Sequence, residues 1–379
     1  MKLSCLQEHL ARGLSIVNRA VASRSATLPI LTHVLLATDN GRLRICATNL
    51  ELGMNCWIGA KVENEGAITV PARTFGDLVA LLADDIVHLE LNIRTQTLRV
   101  QCGRTDANIK GIDAQEFPIV PTFQSDGAAY VEAGVLKKLI AQVTFAAATD
   151  ESRPTLTGAL IKLEGETITM AATDGFRLSV RSDRLQSPVD EPRAFVVPAK
   201  ALNEVARVLS DQEEPVAIVL TPSHGQVLFH LKDVDVVAQL IDHKFPDYEP
   251  IIPKRHDTRT VVNTAELLKA CRQASIFARD AQDTVRLHIT PSDELEPGKL
   301  TVTAQAGETG DNRSELEAAI SGEGLEIGFN VRFLIDALSA IDTAQVIIET
   351  TQPRSPAVLR AAGDDKFFHL IMPMHLPRA

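Results

Sequence analysis

Residues 195–209, FVVPAKALNEVARVL, recur twice more in altered form, and this recurrence limits the folds open to the chain. Each copy reads as a short apolar strand followed by an amphipathic helix. After Pro198 the apolar face is Leu202, Val205, Ala206 and Leu209; after Pro71 it is Phe75, Leu78, Val79 and Leu82; after Asn330 it is Leu334, Ala337, Leu338 and Ile341. These spacings follow one face of a helix. Two places beyond each opening residue stands a cation: Lys200, Arg73 and Arg332. The copies lie about 130 residues apart, a third of the chain and the length of a domain rather than of a solenoid repeat.

A second helical pattern keeps the same period. Leu10, Leu14 and Val17 recur as Leu136, Ile140 and Val143, then as Leu267, Cys271 and Ala274, with Arg12, Lys138 and Lys269 two places after the first apolar residue. The thirds close on apolar runs around Ile112, Ile241 and Ile371, and the first two are followed by Phe117-Pro118 and Phe245-Pro246. Between the helices the chain alternates as strands, and Asp39-Asn40-Gly41 marks a tight hairpin of the antiparallel kind. The expected fold is therefore α+β: three repeated domains over residues 1–122, 126–252 and 253–379, each with two helices packed on antiparallel sheets. Proline-bearing linkers at 117–127 and 245–257 join them stiffly.

The strict signatures of catalysis are missing: the sequence holds no Walker loop, G-x-S-x-G, G-x-G-x-x-G or H-E-x-x-H. No histidine stands with cysteine at zinc-ligand spacing, so neither metal nor cofactor is expected. His224 and His230 read as solvated residues flanking a hairpin, and Asp84-Asp85, Glu213-Glu214 and Asp364-Asp365 as solvated turns. The five cysteines are scattered and read as reduced and buried. With neither a leader pattern nor a long apolar run, the expected location is the cytoplasm, with no membrane partner.

The repeated cations point elsewhere. Packed side by side, the thirds would line one surface with Lys and Arg, able to hold phosphates without reading bases, at about 10⁻⁴ to 10⁻⁶ M for nonspecific contact. A domain of about 126 residues has a radius of gyration of about 14 Å. Six such bodies in a ring leave a hole of roughly 36 Å, wide enough for a duplex about 20 Å across. Two chains supply six domains, and a strand such as residues 104–112 could pair with an edge of the partner's last domain. The net charge of −11 then belongs to the outer surface, where it repels stray phosphates while the helices present cations inward.

The whole chain resembles the bacterial DNA polymerase III beta subunit family, the sliding clamps. The likeness rests on Thr27-Leu28-Pro29-Ile30-Leu31, AATDGFRL over residues 171–178, Phe245-Pro246-Asp247-Tyr248, IGFNV over residues 327–331 and Ile371-Met372-Pro373-Met374. It implies a DNA-clamp fold, a homodimeric ring around duplex DNA of any sequence, a place with the nucleoid in the cytoplasm, and no catalysis. The implied partners are the replicative DNA polymerase, a clamp loader and repair proteins, which insert short apolar-aromatic peptide motifs. Carried over by position, the partner-peptide pocket is Leu156, Thr173, Gly175, Phe176, Arg177, Leu178, Pro246, Ile251, Met372, Pro373 and Met374. The same resemblance implies DNA contacts at Arg24, Arg73, Arg153 and Lys200, and a dimer seam at Arg104, Ile109, Ile276 and Phe277.

The sequence departs from the family where Phe176 replaces a frequent histidine, Pro250 a frequent basic residue, and Asp106 an expected second cation of the seam. Pro154-Thr155 stands where aromatic residues can touch DNA, and Pro377, Arg378 and Ala379 extend beyond the family's usual last residue. The competing reading is a multi-domain scaffold that binds peptides without encircling DNA. A hydrolase would need a nucleophile and base that the sequence does not supply.

Overall fold

The computed structural model describes residues 1–23, 28–209, 212–222, 224–293, 297–307 and 310–376. Two sequence expectations, Arg24 and the extension 377–379, lie outside the described residues. Six α-helices are present among them: α1 (Gln7–Val17), α2 (Ala72–Leu81), α3 (Ala133–Val143), α4 (Ala199–Val208), α5 (Thr264–Ala278) and α6 (Val331–Ala340). The repeated apolar positions are the inward ones. Leu10, Leu14 and Val17, Leu136, Ile140 and Val143, and Leu267, Cys271 and Ala274 are all buried. In α2 the stripe is narrower than its pattern: Phe75, Val79 and Leu82 are buried while Leu78 is only half-buried, and Leu81, outside the stripe, is 87% exposed. Asn263 and Asn330 cap α5 and α6, accepting from the backbone N–H of Glu266 and Arg332.

The described residues form two compact units, one holding residues 1–136, 185–187 and 200–240, the other residues 137–184, 188–199 and everything from 241 onward. In the first, an eight-stranded antiparallel sheet runs Ala129–Val131, Val216–Leu220, Gln226–Leu231, Val234–Gln239, Leu52–Gly59, Arg42–Thr48, His33–Asp39, Ala67–Pro71. Its centre joins sequence thirds: Met54 pairs with Val236. The hairpin between His33–Asp39 and Arg42–Thr48 turns on Asn40 and Gly41, with φ of 50° and 76°, the left-handed pair that a type I′ turn requires. A five-stranded sheet completes the unit, in the order Lys61–Asn64, Lys2–Leu6, Ile86–Asn92, Thr97–Cys102, Thr105–Lys110.

In the second unit a nine-stranded sheet runs Arg193–Pro198, Gly158–Glu164, Thr167–Thr173, Arg177–Arg184, Asp364–Ile371, Ala357–Ala361, Gln345–Thr350, Thr258–Asn263, Ala319–Gly322. Again the centre joins thirds: Ser179 pairs with His369. A four-stranded sheet follows the order Gly310–Glu317, Lys299–Ala306, Thr284–Thr290, Leu325–Asn330, and α5 packs on its strands. Here Leu267, Cys271, Leu334 and Leu338 share a core with Val302, Phe329 and Phe367.

The connecting segments are pinned by aromatic residues. Phe117 packs with Ile30, Leu31, Leu35 and Cys46, and Phe245 with Tyr248, Leu160, Leu178 and Leu370. All five cysteines are free and buried, and burial pushes the thiols of Cys5, Cys46, Cys56 and Cys271 up to about 12, which leaves them unreactive.

Two solvated readings are corrected. His230 lies against buried Asp235, its Nδ1 2.6 Å from Oδ1, and stacks on Phe123 with ring centroids 4.1 Å apart. It is half-buried because the 117–127 segment folds over it. Asp364 opens a central strand rather than a solvated turn; it lies 2.9 Å from Arg181 and 3.6 Å from Lys138.

Candidate functional site

The site begins at the turn between strands Thr167–Thr173 and Arg177–Arg184. Thr173 Oγ1 accepts from the Gly175 N–H at 3.0 Å and donates to the Arg177 carbonyl at 2.6 Å. Asp174 Oδ1 accepts from the N–H groups of Phe176 (2.9 Å) and Arg177 (3.0 Å). Gly175 has a φ of 94°, a backbone state that a side chain would strain. A Cβ there would meet only Arg153 Nη1, at 3.6 Å, so conformation, rather than close approach of a neighbour, accounts for the glycine. Arg153 donates to the Asp174 carbonyl at 2.9 Å and its own carbonyl accepts from Leu156; this ties the 150–157 loop to the turn.

Above this frame the apolar side chains are open. Phe176 is 59% exposed and Met372 40%, and the Met372 N–H donates to the Phe176 carbonyl at 2.8 Å. Leu178, fully buried and paired with Leu370, forms the floor. Phe245 and Tyr248 sink into the same core, leaving Pro246 exposed and Ile251 48% exposed on the segment they anchor. Pro250 sits inside the short 3₁₀ turn Glu249–Ile251, where a missing N–H costs nothing.

Two expected pocket residues have other engagements. Arg177 is only 10% exposed; it donates to Asp174, Asp336 and the Phe145 carbonyl and lies over the Phe333 ring at 4.5 Å. It braces the turn from below. Met374 is held at the strand Leu325–Asn330: its N–H donates to the Gly328 carbonyl at 2.8 Å, and Thr284 reaches its sulfur at 3.4 Å.

Sequence reasoning missed His369. It is fully buried, 2.6 Å from Ser179 Oγ through Nδ1, and its ring centroid lies 5.2 Å from that of Phe145. Burial, helped by the Arg177 charge, lowers its pKa to about 3. The available signal was its place among inward-facing residues of FFHLI.

The expected DNA-contacting cations differ in their engagements. Arg73 is 72% exposed beside Asp77 at 3.7 Å, at the rim of a groove lined by Ala11, Ser15, Asn18, Gly76 and Ala80. Arg153 and Lys200 are exposed. Of the other repeated cations, Lys138 is bound to Asp342 (2.9 Å) and Arg332 to Asp283 (2.9 Å).

At the expected seam, Thr105–Lys110 and Gly310–Glu317 are each the last strand of their sheet. Arg104 is exposed and Ile276 62% exposed, while Phe277 is partly buried against its own core. Ile109 is only 6% exposed: its side chain serves its own core, and its backbone is what stands at the edge. Asp106 is already matched by Arg99, at 2.6 Å. Among the described residues no cluster of three or more His, Cys, Asp or Glu could hold a metal, and no helix is long and apolar enough to cross a membrane.

Comparison with known proteins agrees along the full length. Residues 1–121, 130–247 and 249–375 match the N-terminal, central and C-terminal domains of the DNA polymerase III beta subunit. The beta sliding clamp of Synechococcus elongatus is 35% identical over 99% of this chain and 100% of its own, and that of Bacillus subtilis 31% identical over 99% of each. The crystal structure of the Bacillus subtilis DNA polymerase sliding clamp superposes with a TM-score of 0.93 at 30% identity, covering 100% of both chains. The sliding clamp of Pseudomonas aeruginosa bound to griselimycin gives 0.91 at 30% identity, over 99% of this chain and 100% of that one. A thrice-repeated domain, sheets continuous across the sequence thirds and these full-length likenesses lead to one conclusion: the chain belongs to the DNA polymerase III beta subunit family, the beta sliding clamps.

Proposed function

We propose that two copies of this chain close a ring around duplex DNA and tether the replicative DNA polymerase to it, without catalysing a reaction. Strand topology carries the proposal. The meander that includes Leu52–Gly59 ends against the last strand of the middle third, Val234–Gln239, and the meander that includes Arg177–Arg184 ends against the last strand of the final third, Asp364–Ile371. One meander, ending at Gly310–Glu317, and one last strand, Thr105–Lys110, have open edges. The same join made between two copies closes both edges, twice, by a twofold axis. On this reading the domains are 1–122, 126–252 and 253–379, Arg104, Ile276 and Phe277 flank the seam, and the Ile109 backbone joins it.

Inside the ring, Arg73, Arg153 and Lys200, with Arg24, supply phosphate contacts that read no sequence. Arg332 reaches phosphate only by leaving Asp283, an exchange open to a side chain that is 68% exposed. Retention then comes from enclosure rather than affinity. The pocket of Leu156, Thr173, Gly175, Phe176, Ile251 and Met372, over Leu178, with Pro246, Pro373 and Met374 beside it, takes apolar-aromatic peptide segments of polymerase, clamp loader and repair proteins. Met372 is suited to varied partners by its flexible, polarizable side chain.

The test is topological. Loaded onto nicked circular DNA by a clamp loader, the protein is expected to survive a salt wash and to leave when the circle is cut once. Equal retention on cut and closed DNA, or salt-sensitive loss from both, would overturn enclosure in favour of the open scaffold.

A further inference from the structure

A basic cleft lies close in sequence and in strand pairing to the residues of the proposed peptide pocket, and the inference drawn from it rests on that pocket reading. The cleft, of about 170 Å³, is lined by Lys254, Arg255, His256, Arg360, Glu349 and Thr350, with Pro356 and Val358 at one wall. Its charge is unbalanced. Glu349, the only carboxylate of the lining, is engaged by Arg360 Nε at 3.0 Å and lies 3.7 Å from His256. Arg360 is held further over the Phe368 ring at 5.4 Å. Lys254 and Arg255 are exposed and have no carboxylate partner among the described residues. Thr350 contributes backbone to the cleft, since strand alternation turns its side chain to the core face with Val346 and Ile348 and leaves Glu349 on the cleft side.

Two features join this cleft to the pocket. Lys254 follows pocket residue Ile251 by three positions. Ala357 pairs with Ile371 and Val358 with Leu370, so Pro356 and Val358 lie beside the strand end that carries Met372. We infer that the cleft is a specificity site for an acidic side chain of a partner peptide, which Lys254 and Arg255 bind as a carboxylate while the peptide's apolar segment fills the pocket. Arg360 is already taken by Glu349, which leaves the exposed Lys254 and Arg255 as the cleft's unpaired charge, and the backbone continuity with the pocket favours an acid carried by the peptide over a free oxyanion.

The test uses two fluorescein-labelled synthetic peptides with one apolar-aromatic segment, flanked on both sides by Glu in one and by Gln in the other. Anisotropy is measured on the full chain and on Lys254→Gln/Arg255→Gln, whose changes touch exposed side chains. A charge-assisted contact at a partly exposed site gives the Glu peptide an advantage of about fivefold to tenfold. In the double variant the advantage is expected to fall within about twofold, with the Gln peptide unchanged. No Glu advantage in the wild-type chain, or one that survives the double substitution, overturns the inference. A parallel titration with inorganic phosphate, followed by amide shifts at Thr350 and His256, separates the sources: shifts without any Glu advantage make the cleft a free-oxyanion site and overturn the peptide assignment. Failure of both peptides to bind the wild-type chain instead defeats the pocket reading, and the assignment of a partner acid falls with it.

Discussion

Arg177 reaches Asp336 at 2.6 Å across 159 residues of sequence. The pair joins the turn that carries Phe176 to α6, and the guanidinium is fixed further by Asp174 at 2.9 Å and by the faces of Phe333 and Phe145. A planar fork with several fixed acceptors is specific to arginine. Arg177→Ala is therefore expected to destabilise the fold by about 2–4 kcal/mol, and Arg177→Lys to recover less than half of that. A double-mutant cycle with Asp336→Ala, followed by urea unfolding, is expected to give a coupling of about 1 kcal/mol. Additive losses would mean that the pair is a surface contact without a bracing role.

His369 gives the fold a pH dependence with a definite sign. Its pKa falls from 6.5 to about 3 through burial and the nearby Arg177 charge. The unfolded chain therefore takes up a proton that the folded chain refuses. Stability from this group is complete above pH 6.5 and declines as pH falls toward 3, by at most about 1.4 kcal/mol per pH unit. His369→Asn keeps a polar atom near Ser179 but has no proton to gain. Between pH 6.5 and 5, above most carboxylate titrations, its melting temperature is expected to change less than that of the wild-type chain; parallel slopes would count against a buried neutral imidazole.

How much of this was legible in the sequence follows from the range of the interactions. The helix positions were readable because Leu10, Leu136 and Leu267 answer to a local 3.6-residue period, and each is fully buried. The tight hairpin was readable because Asn40-Gly41 encodes its own turn. Arg177 bracing, Lys138 neutralised by Asp342 and His230 sheltered against Asp235 and Phe123 depend on partners whose nearness is set by tertiary packing. Ile109 shows the same limit within one strand: the edge position of residues 104–112 was readable, but that the Ile109 side chain turns into its own core is set by packing. Phe176 and Met372 were joined in the sequence only through the family resemblance; what brings them together physically is the strand register that sets the Met372 N–H on the Phe176 carbonyl.

That contact leads to a prediction for peptide capture. Phe176 and Met372 are exposed apolar side chains over a buried Leu178 floor, and removing either deletes contact area without opening the core. Phe176→Ala and Met372→Ala are each expected to weaken an apolar-aromatic peptide by about tenfold, with melting temperature within about 2 °C of the wild-type chain because neither side chain is a core residue. Met374→Ala, held at Gly328 and Thr284, is expected to have a smaller effect on affinity. Isothermal titration with one synthetic peptide ranks the three variants, and a larger loss at Met374 than at Met372 would move the pocket toward the four-stranded sheet.

Closure of the ring has its own sensitive position. Helix α5 packs beside the open strand Gly310–Glu317, with Ser314 donating to Gln273 at 3.4 Å, and leaves Ile276 62% exposed. An apolar side chain left open on the helix beside an unpaired edge fits a seam that buries it. Ile276→Asp places a charge in that seam without touching the core of its own chain. Desolvating an unpaired carboxylate costs several kcal/mol, applied twice in a twofold dimer. The variant is expected to sediment as a monomer at micromolar concentration with its melting temperature lowered only by the loss of association. Phe277→Ala, whose ring also packs on its own core, is expected to weaken the monomer as well as the dimer, so the two variants separate seam from fold. A dimer that persists in Ile276→Asp by light scattering would place the interface elsewhere.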